Sequence, residues 1–236
     1  MGKLVSGSEL RNMRHRATFA LAAFAAFAVQ WPVPATAQGA TPPEDATSGP
    51  QPVSEAVTTV AGWVLASRDN GGLPYIVIDK VGAELFVFDG QGQLIGRAPA
   101  LLGSAKGDES VPGVGDRELS RIPPADRTTP AGRFVARFGP AAGRQKVLWV
   151  DFSSAVSLHA VVTGNRKEHR LERLRSPTPE DNRITYGCIN VPKVFYDEVV
   201  RPLLTDSSGI VYILPEARPL GEVFWAAQPR ASTASP

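Results

Sequence analysis

Cysteine is almost absent from this chain of 236 residues: Cys188 stands alone, so no disulfide can form within one molecule. Histidine is scarce too. Neither His159 nor His169 lies at ligand spacing from Cys188, so no metal site is expected. The apolar run at residues 17–29, ATFALAAFAAFAV, has 13 residues, short of the roughly 20 that cross a bilayer. Positive charge is lacking once the first 37 residues are set aside. The whole chain carries +2, but residues 38–236 hold 21 basic and 22 acidic side chains, which gives no reason to expect a nucleic-acid partner. The sequence shows no internal repeat.

What is present begins with the pattern of an export signal. Lys3, Arg11, Arg14 and Arg16 form a basic front to the apolar run, and Ala35-Thr36-Ala37 offers a small-x-small cleavage site before Gln38. No cysteine stands at that site, so no lipid anchor is expected. Residues 1–37 therefore read as a signal peptide. The remainder is expected to be exported to the periplasm or cell wall, with no membrane attachment after cleavage. Residues 38–53, QGATPPEDATSGPQPV, read as a flexible Pro/Gly-rich leader and residues 216–236 as a flexible tail, within which Phe224 and Trp225 are candidates to dock locally. Residues 54–215 are long enough for one domain with its own core.

Within that domain, Val57, Val60, Ala61, Val64 and Leu65 recur at helical spacing, and Ser54 is placed to cap a helix over residues 54–66. Asp69-Asn70-Gly71-Gly72 turns the chain. Short β-branched or aromatic segments follow at residues 74–80, 83–89, 93–99, 132–138, 146–152, 155–162 and 209–215, separated by Gly, Pro and Asp. Asp89-Gly90-Gln91-Gly92 reads as a hairpin turn. Phe195, Val199 and Leu203 share one face of a second helix over residues 193–204, which Pro202 is expected to bend or end. The expected fold class is mainly β: a single sandwich or barrel-like domain with two or three covering helices.

In an oxidising compartment cysteines usually pair. A lone Cys188 is a buried inert thiol, an intermolecular bridge or a reactive nucleophile. Its surroundings, RITYGCINVP (183–192), bear on the choice. Thr185, Gly187 and Cys188 resemble the Ser/Thr-His-Gly-Cys signature of the L,D-transpeptidases, the YkuD-type catalytic domain. Thr129-Pro130-Ala131-Gly132-Arg133-Phe134 is similar to that family's Thr-Pro-x-Gly-x-Phe segment. The stretch from Asp79-Lys80 to Asp89-Gly90 is similar to its opening hairpin. The resemblance covers a core of roughly residues 74–215 and implies a YkuD-like β-sandwich or barrel. Two positions depart from the family: Tyr186 stands where it has a histidine, and Asn190 where many members have an arginine.

The resemblance implies Cys188 as nucleophile and an upstream histidine as base. An unassisted thiol is only a few per cent ionised at neutral pH, and lowering its pKa by two units is worth about 2.7 kcal/mol. His159 lies in the strand-like VSLHAV (156–161), and rigid placement suits a catalytic residue. His169 lies in the charged RKEHRLERLR, read as an exposed helix. His159 is taken as the base, with His169 as the alternative. That choice makes residues 164–182 an insertion, expected to form a lid. Its basic run of Arg166, Lys167, Arg170, Arg173 and Arg175 reads as facing solvent. Gly187 leaves room for a substrate carbonyl, with the amides of Cys188, Gly187 and Tyr186 available to an oxyanion. Thr185 either hydrogen-bonds within the loop or caps it. Asn190 either braces the turn or touches substrate. Arg183 is either a surface arginine or the holder of a substrate carboxylate.

By this resemblance the chemistry is acyl transfer from a peptidoglycan stem tetrapeptide. Cys188 would release the terminal D-alanine and pass the acyl group to an amine, on a neighbouring stem, on a wall-anchored lipoprotein or on a free D-amino acid. No cofactor is implied. Two alternatives stand beside it: an L,D-carboxypeptidase or amide hydrolase using the same thiol, and a cell-wall binding domain in which Cys188 is structural.

Overall fold

The computed structural model describes residues 52–141, 146–205 and 207–224. The expected signal segment, the leader through residue 51 and the tail from residue 225 lie outside the described residues. Ser54 Oγ accepts from Val57 N at 3.4 Å and opens helix α1 (Glu55–Ser67). Val57, Val60 and Val64 of that helix are buried, while Leu65 faces out. Ten strands follow among the described residues: β1 (Tyr75–Asp79), β2 (Glu84–Phe88), β3 (Leu94–Pro99), β4 (Leu102–Gly103), β5 (Gly132–Pro140), β6 (Lys146–Asp151), β7 (Val156–Ala160), β8 (Arg183–Thr185), β9 (Ile189–Val191) and β10 (Gly209–Ile213). Eight of them form one sheet in the order β3-β2-β1-β10-β5-β6-β7-β9, and β4 pairs with β8. Two residues past β3, Leu101 exchanges backbone hydrogen bonds with Asn190 of β9 at 2.8 and 2.9 Å, so the chain leaving one sheet edge ties directly to the other. The fold is mainly β.

Burial differs along the sheet, and the difference places the site. In β1, β2 and β10 successive side chains enter two apolar clusters on opposite faces. Ile76, Ile78, Leu85, Val87, Val211 and Ile213 belong to one. Tyr75, Val77, Phe86, Phe88, Ile210 and Tyr212 join α1 and Phe224 in the other. These strands read as unbroken hydrophobic runs because both faces are covered. In β6 and β7 only one face joins an apolar cluster. Leu148, Val150, Val156 and Leu158 join the first cluster, which by the two-residue strand period turns Trp149, Ser157 and His159 the other way.

The helical segment 193–204 covers the first cluster with Tyr196, Val200 and Leu204. It does not end at Pro202. An α turn (Lys193–Phe195) widens into a π-helical stretch (Tyr196–Val200) and returns to α (Arg201–Leu204). The wider turn just before Pro202 accommodates a ring that would otherwise clash with a carbonyl one turn back. Residues 216–224, expected as the start of a flexible tail, are instead held in place. The amides of Glu216, Ala217 and Arg218 all donate to the Asp108 carboxylate at 2.7–2.9 Å, and Phe224 is buried.

Candidate active site

Cys188 lies in the turn between β8 and β9, and His159 lies on β7. Parallel pairing of β7 with β9 sets His159 opposite Asn190. The thiol lies close enough to the imidazole for each to shift the other's titration, while the two ring nitrogens meet Ala160 O at 2.8 Å and Asn190 Nδ2 at 3.1 Å. Ser157 Oγ stands 3.5 Å from Cys188 Sγ, and Ala155 O accepts from the same sulfur at 3.5 Å. Burial pushes the Cys188 thiol up, but the neighbouring imidazole of His159 and the Ser157 contacts outweigh it and leave the pKa below the usual thiol value. Burial pushes the imidazole down, and its contacts with Cys188 and the Ala160 carbonyl outweigh that, so its pKa is raised. Both shifts favour a thiolate–imidazolium pair. His169 is elsewhere: it lies on the segment between β7 and β8 with its side chain 67% exposed, 4.0 Å from Glu172.

The turn that carries the thiol is braced from both sides. Thr185 Oγ1 accepts from Gly187 N at 3.2 Å and donates to Cys188 O at 2.6 Å. Thr129 Oγ1 accepts from Gly103 N and donates to Gly187 O, both at 2.9 Å. Gly187 has φ +126°, and a Cβ there would stand 2.8 Å from Thr128 O, so the position demands glycine. The Gly187 amide is engaged by Thr185, whereas the Tyr186 and Cys188 amides have no internal partner among the described residues and are the ones open to an oxyanion. Tyr186 is held by the Arg127 guanidinium, 4.1 Å above its ring.

Two arginines lie differently from the sequence expectation. Arg183 donates to Glu216 Oε2 at 2.5 Å and to Lys80 O at 2.7 Å, with its side chain 9% exposed, so its charge is matched within the protein. Arg170 does not face solvent. It pairs with Glu168 and donates from Nη1 to Asn190 Oδ1 at 2.7 Å. Ser157, Thr129 and Arg170 were not legible as site residues in the sequence. Two carried a usable signal: Ser157 sits two residues from His159 on a strand, and Thr129 opens the Thr-Pro-Ala-Gly segment that resembles the family's.

A cavity of about 640 Å³ opens on His159 and Ala160, with Phe138 and Tyr196 on its walls; Lys146, Lys193 and Arg201 outnumber Asp197, which pairs with the last two, so its lining is net cationic. The arrangement is a half-buried thiol, an imidazole beside it that shifts its titration, a candidate oxyanion donor and an adjoining cavity. Those are the parts that acyl transfer through a thioester requires.

No protein-family model matches the chain, and no curated protein does. Among solved structures it is similar to the NMR structure of the catalytic domain from E. faecium L,D-transpeptidase, at 14% identity over 59% of this chain and 95% of that chain, with a TM-score of 0.38. It is also similar to the crystal structure of a cysteine-to-serine mutant of E. faecium L,D-transpeptidase, at 15% identity over 59% of this chain and 49% of that chain, with a TM-score of 0.33.

Proposed function

We propose that the protein is a cysteine acyltransferase of the L,D-transpeptidase kind, acting on peptidoglycan stem peptides after export to the periplasm or cell wall. The observation that supports this reading is the pairing of β7 with β9, which sets His159 beside a lone thiol carried on a braced Thr185-Tyr186-Gly187-Cys188 turn. In the reaction, His159 takes the thiol proton and Cys188 Sγ attacks the carbonyl of the third stem residue. The Cys188 amide faces the oxyanion. Collapse breaks the peptide bond, and the leaving D-alanine amine takes the proton from the imidazolium. An acceptor amine then loses a proton to His159 and attacks the thioester, and the thiolate leaves. The cations around the cavity suit the carboxylates that stem peptides carry. No cofactor enters.

The test is incubation with disaccharide-tetrapeptide, followed by mass spectrometry. A cross-linked dimer formed by wild type and not by Cys188→Ala supports the proposal. Tripeptide alone assigns the same site to hydrolysis. No product and no adduct of Cys188 with a carbapenem would leave a binding domain.

A further inference from the structure

Asn190 is pinned through its backbone by β7 on one side and Leu101 on the other, and its side chain is fully buried. The two ends of an amide are nearly the same shape, so hydrogen-bond partners rather than packing choose its orientation. Arg170, on a single α-helical turn, α2 (Arg170–Arg173), donates to Asn190 Oδ1 at 2.7 Å. A guanidinium only donates, so the amide oxygen must face it. Nδ2 then faces His159 Nε2, 3.1 Å away. An amide NH₂ also only donates, so Nε2 must present its lone pair. The ring proton is left on Nδ1, where Ala160 O accepts it at 2.8 Å. Every donor along the row Arg170, Asn190, His159, Ala160 meets an acceptor.

We propose that Arg170 is a positioning residue: through the Asn190 amide it holds His159 as the neutral ring with its lone pair on Nε2, and so couples the segment between β7 and β8 to the readiness of Cys188. The inference rests on the thiol–imidazole reading of the site, not on which amide the enzyme cleaves. Without Arg170 the Asn190 amide is free to turn. Its oxygen then accepts an Nε2–H while Ala160 O keeps the Nδ1–H, an arrangement that satisfies the imidazolium. The thiolate–imidazolium pair therefore forms at lower pH once Arg170 is gone. The charge of Arg170 acts in the same direction, adding to the larger effect of burial in opposing protonation of the ring. The other charged or titratable groups around the imidazole are Cys188, Glu168 paired to Arg170, and Lys146, Lys193, Tyr196, Asp197 and Arg201 across the cavity. Replacing Arg170 alone leaves all of them with their partners except Glu168, and Arg170→Lys keeps a cation for that carboxylate.

The experiment is the rate of Cys188 alkylation by iodoacetamide as a function of pH, read by intact mass, in wild type, Arg170→Met and Arg170→Lys. The midpoint of Arg170→Met is expected to fall by about one pH unit or more, with Arg170→Lys, whose ammonium is also a pure donor, close to wild type. A profile for Arg170→Met that overlies wild type overturns the proposal. So does a uniform loss of rate with an unmoved midpoint, which is the mark of a merely structural role. Nitrogen-15 spectra of wild-type histidines give a reading that does not depend on the variant folding: a neutral His159 protonated on Nε2 rather than Nδ1 refutes the proposal. Alkylation requires no peptidoglycan, so failure of the coupling is distinct from failure of the transferase reading. If His159→Ala leaves the wild-type midpoint unmoved, it is the thiol–imidazole reading itself that falls.

Discussion

Thr129→Val removes one hydroxyl and almost no volume, yet two structural elements meet at that hydroxyl. Thr129 is fully buried. Its Oγ1 accepts from Gly103 N and donates to Gly187 O, each at 2.9 Å. Valine keeps the shape and leaves both backbone groups buried and unpaired. Each such group costs about 1–3 kcal/mol, so the pair is expected to cost roughly 3 kcal/mol after partial relaxation. For a domain of this size that is a fall in Tm of about 6–12 °C. Urea unfolding followed by circular dichroism should show a lower midpoint at unchanged slope. The second consequence is chemical. Gly187 immediately precedes the thiol, and releasing its carbonyl lets the Cys188 amide drift from the oxyanion position. Acylation of Cys188 by a carbapenem should slow by at least about tenfold, since loss of an oxyanion donor outright costs on the order of 10²–10³. Stability within about 0.5 kcal/mol of wild type, together with normal acylation, would refute the bracing role, because surface-like tolerance is the mark of a site without such bonds.

Further predictions concern the same turn and the ion cluster beneath it. Gly187→Ala places a Cβ 2.8 Å from Thr128 O at φ +126°, and should abolish carbapenem adduct formation and lower the urea midpoint; a stable, acylable Gly187→Ala would count against the turn geometry. The Cys188 thiol is held below its ordinary 9.0, so wild-type alkylation should rise with pH through a midpoint below that value, and His159→Ala should move the midpoint up by about one unit or more. Burial pushes the Asp108 carboxyl up, but Lys80 and the amides of Glu216, Ala217 and Arg218 outweigh it and bring the pKa from 3.8 to about 2. A carboxylate depressed in the folded state stabilises above its unfolded pKa, and that stability is lost as pH falls through the folded value. About 2 kcal/mol should therefore disappear between roughly pH 4 and pH 2, measured by urea unfolding, and Asp108→Asn should flatten that loss.

The strands that could be read from the sequence are those whose side chains face a continuous core. Residues 74–80, 83–89 and 209–215 supply strands buried on both faces, and 146–152 and 155–162 supply strands buried on one. Their runs and alternations record that burial directly. β4, β8 and β9 have only two or three residues each and exist through pairing with distant segments, so no local pattern marks them. The site divides the same way. Cys188 was conspicuous for want of any other cysteine, and His159 for its place in a strand. Arg170 was hidden: five basic residues lie within ten positions, and only the path of the chain decides which one turns inward. Arg183 was open to a substrate role because its partner, Glu216, lies 33 residues further on.

The buried charges and the thiol-bearing turn form one connected structure. Lys80 is wholly buried, and its ammonium reaches Gly107 O at 2.5 Å, Asp108 Oδ1 at 2.7 Å and Thr129 O at 3.0 Å, so all three of its donors are used. Asp108 in turn takes three consecutive amides of residues 216–218, which no neutral side chain could accept together with an ammonium. Glu216 closes the group on Arg183, at the start of β8. The residue that touches both this cluster and the thiol-bearing turn is Thr129: its carbonyl holds Lys80 and its hydroxyl holds Gly187. A buried ion pair is weak evidence for stability on its own, since an apolar replacement often does as well. Here an apolar replacement would leave Thr129 O and the three amides without partners. The cluster is therefore better understood as the support that fixes the backbone of Thr129, and through it Gly187, than as a source of binding energy between its own charges.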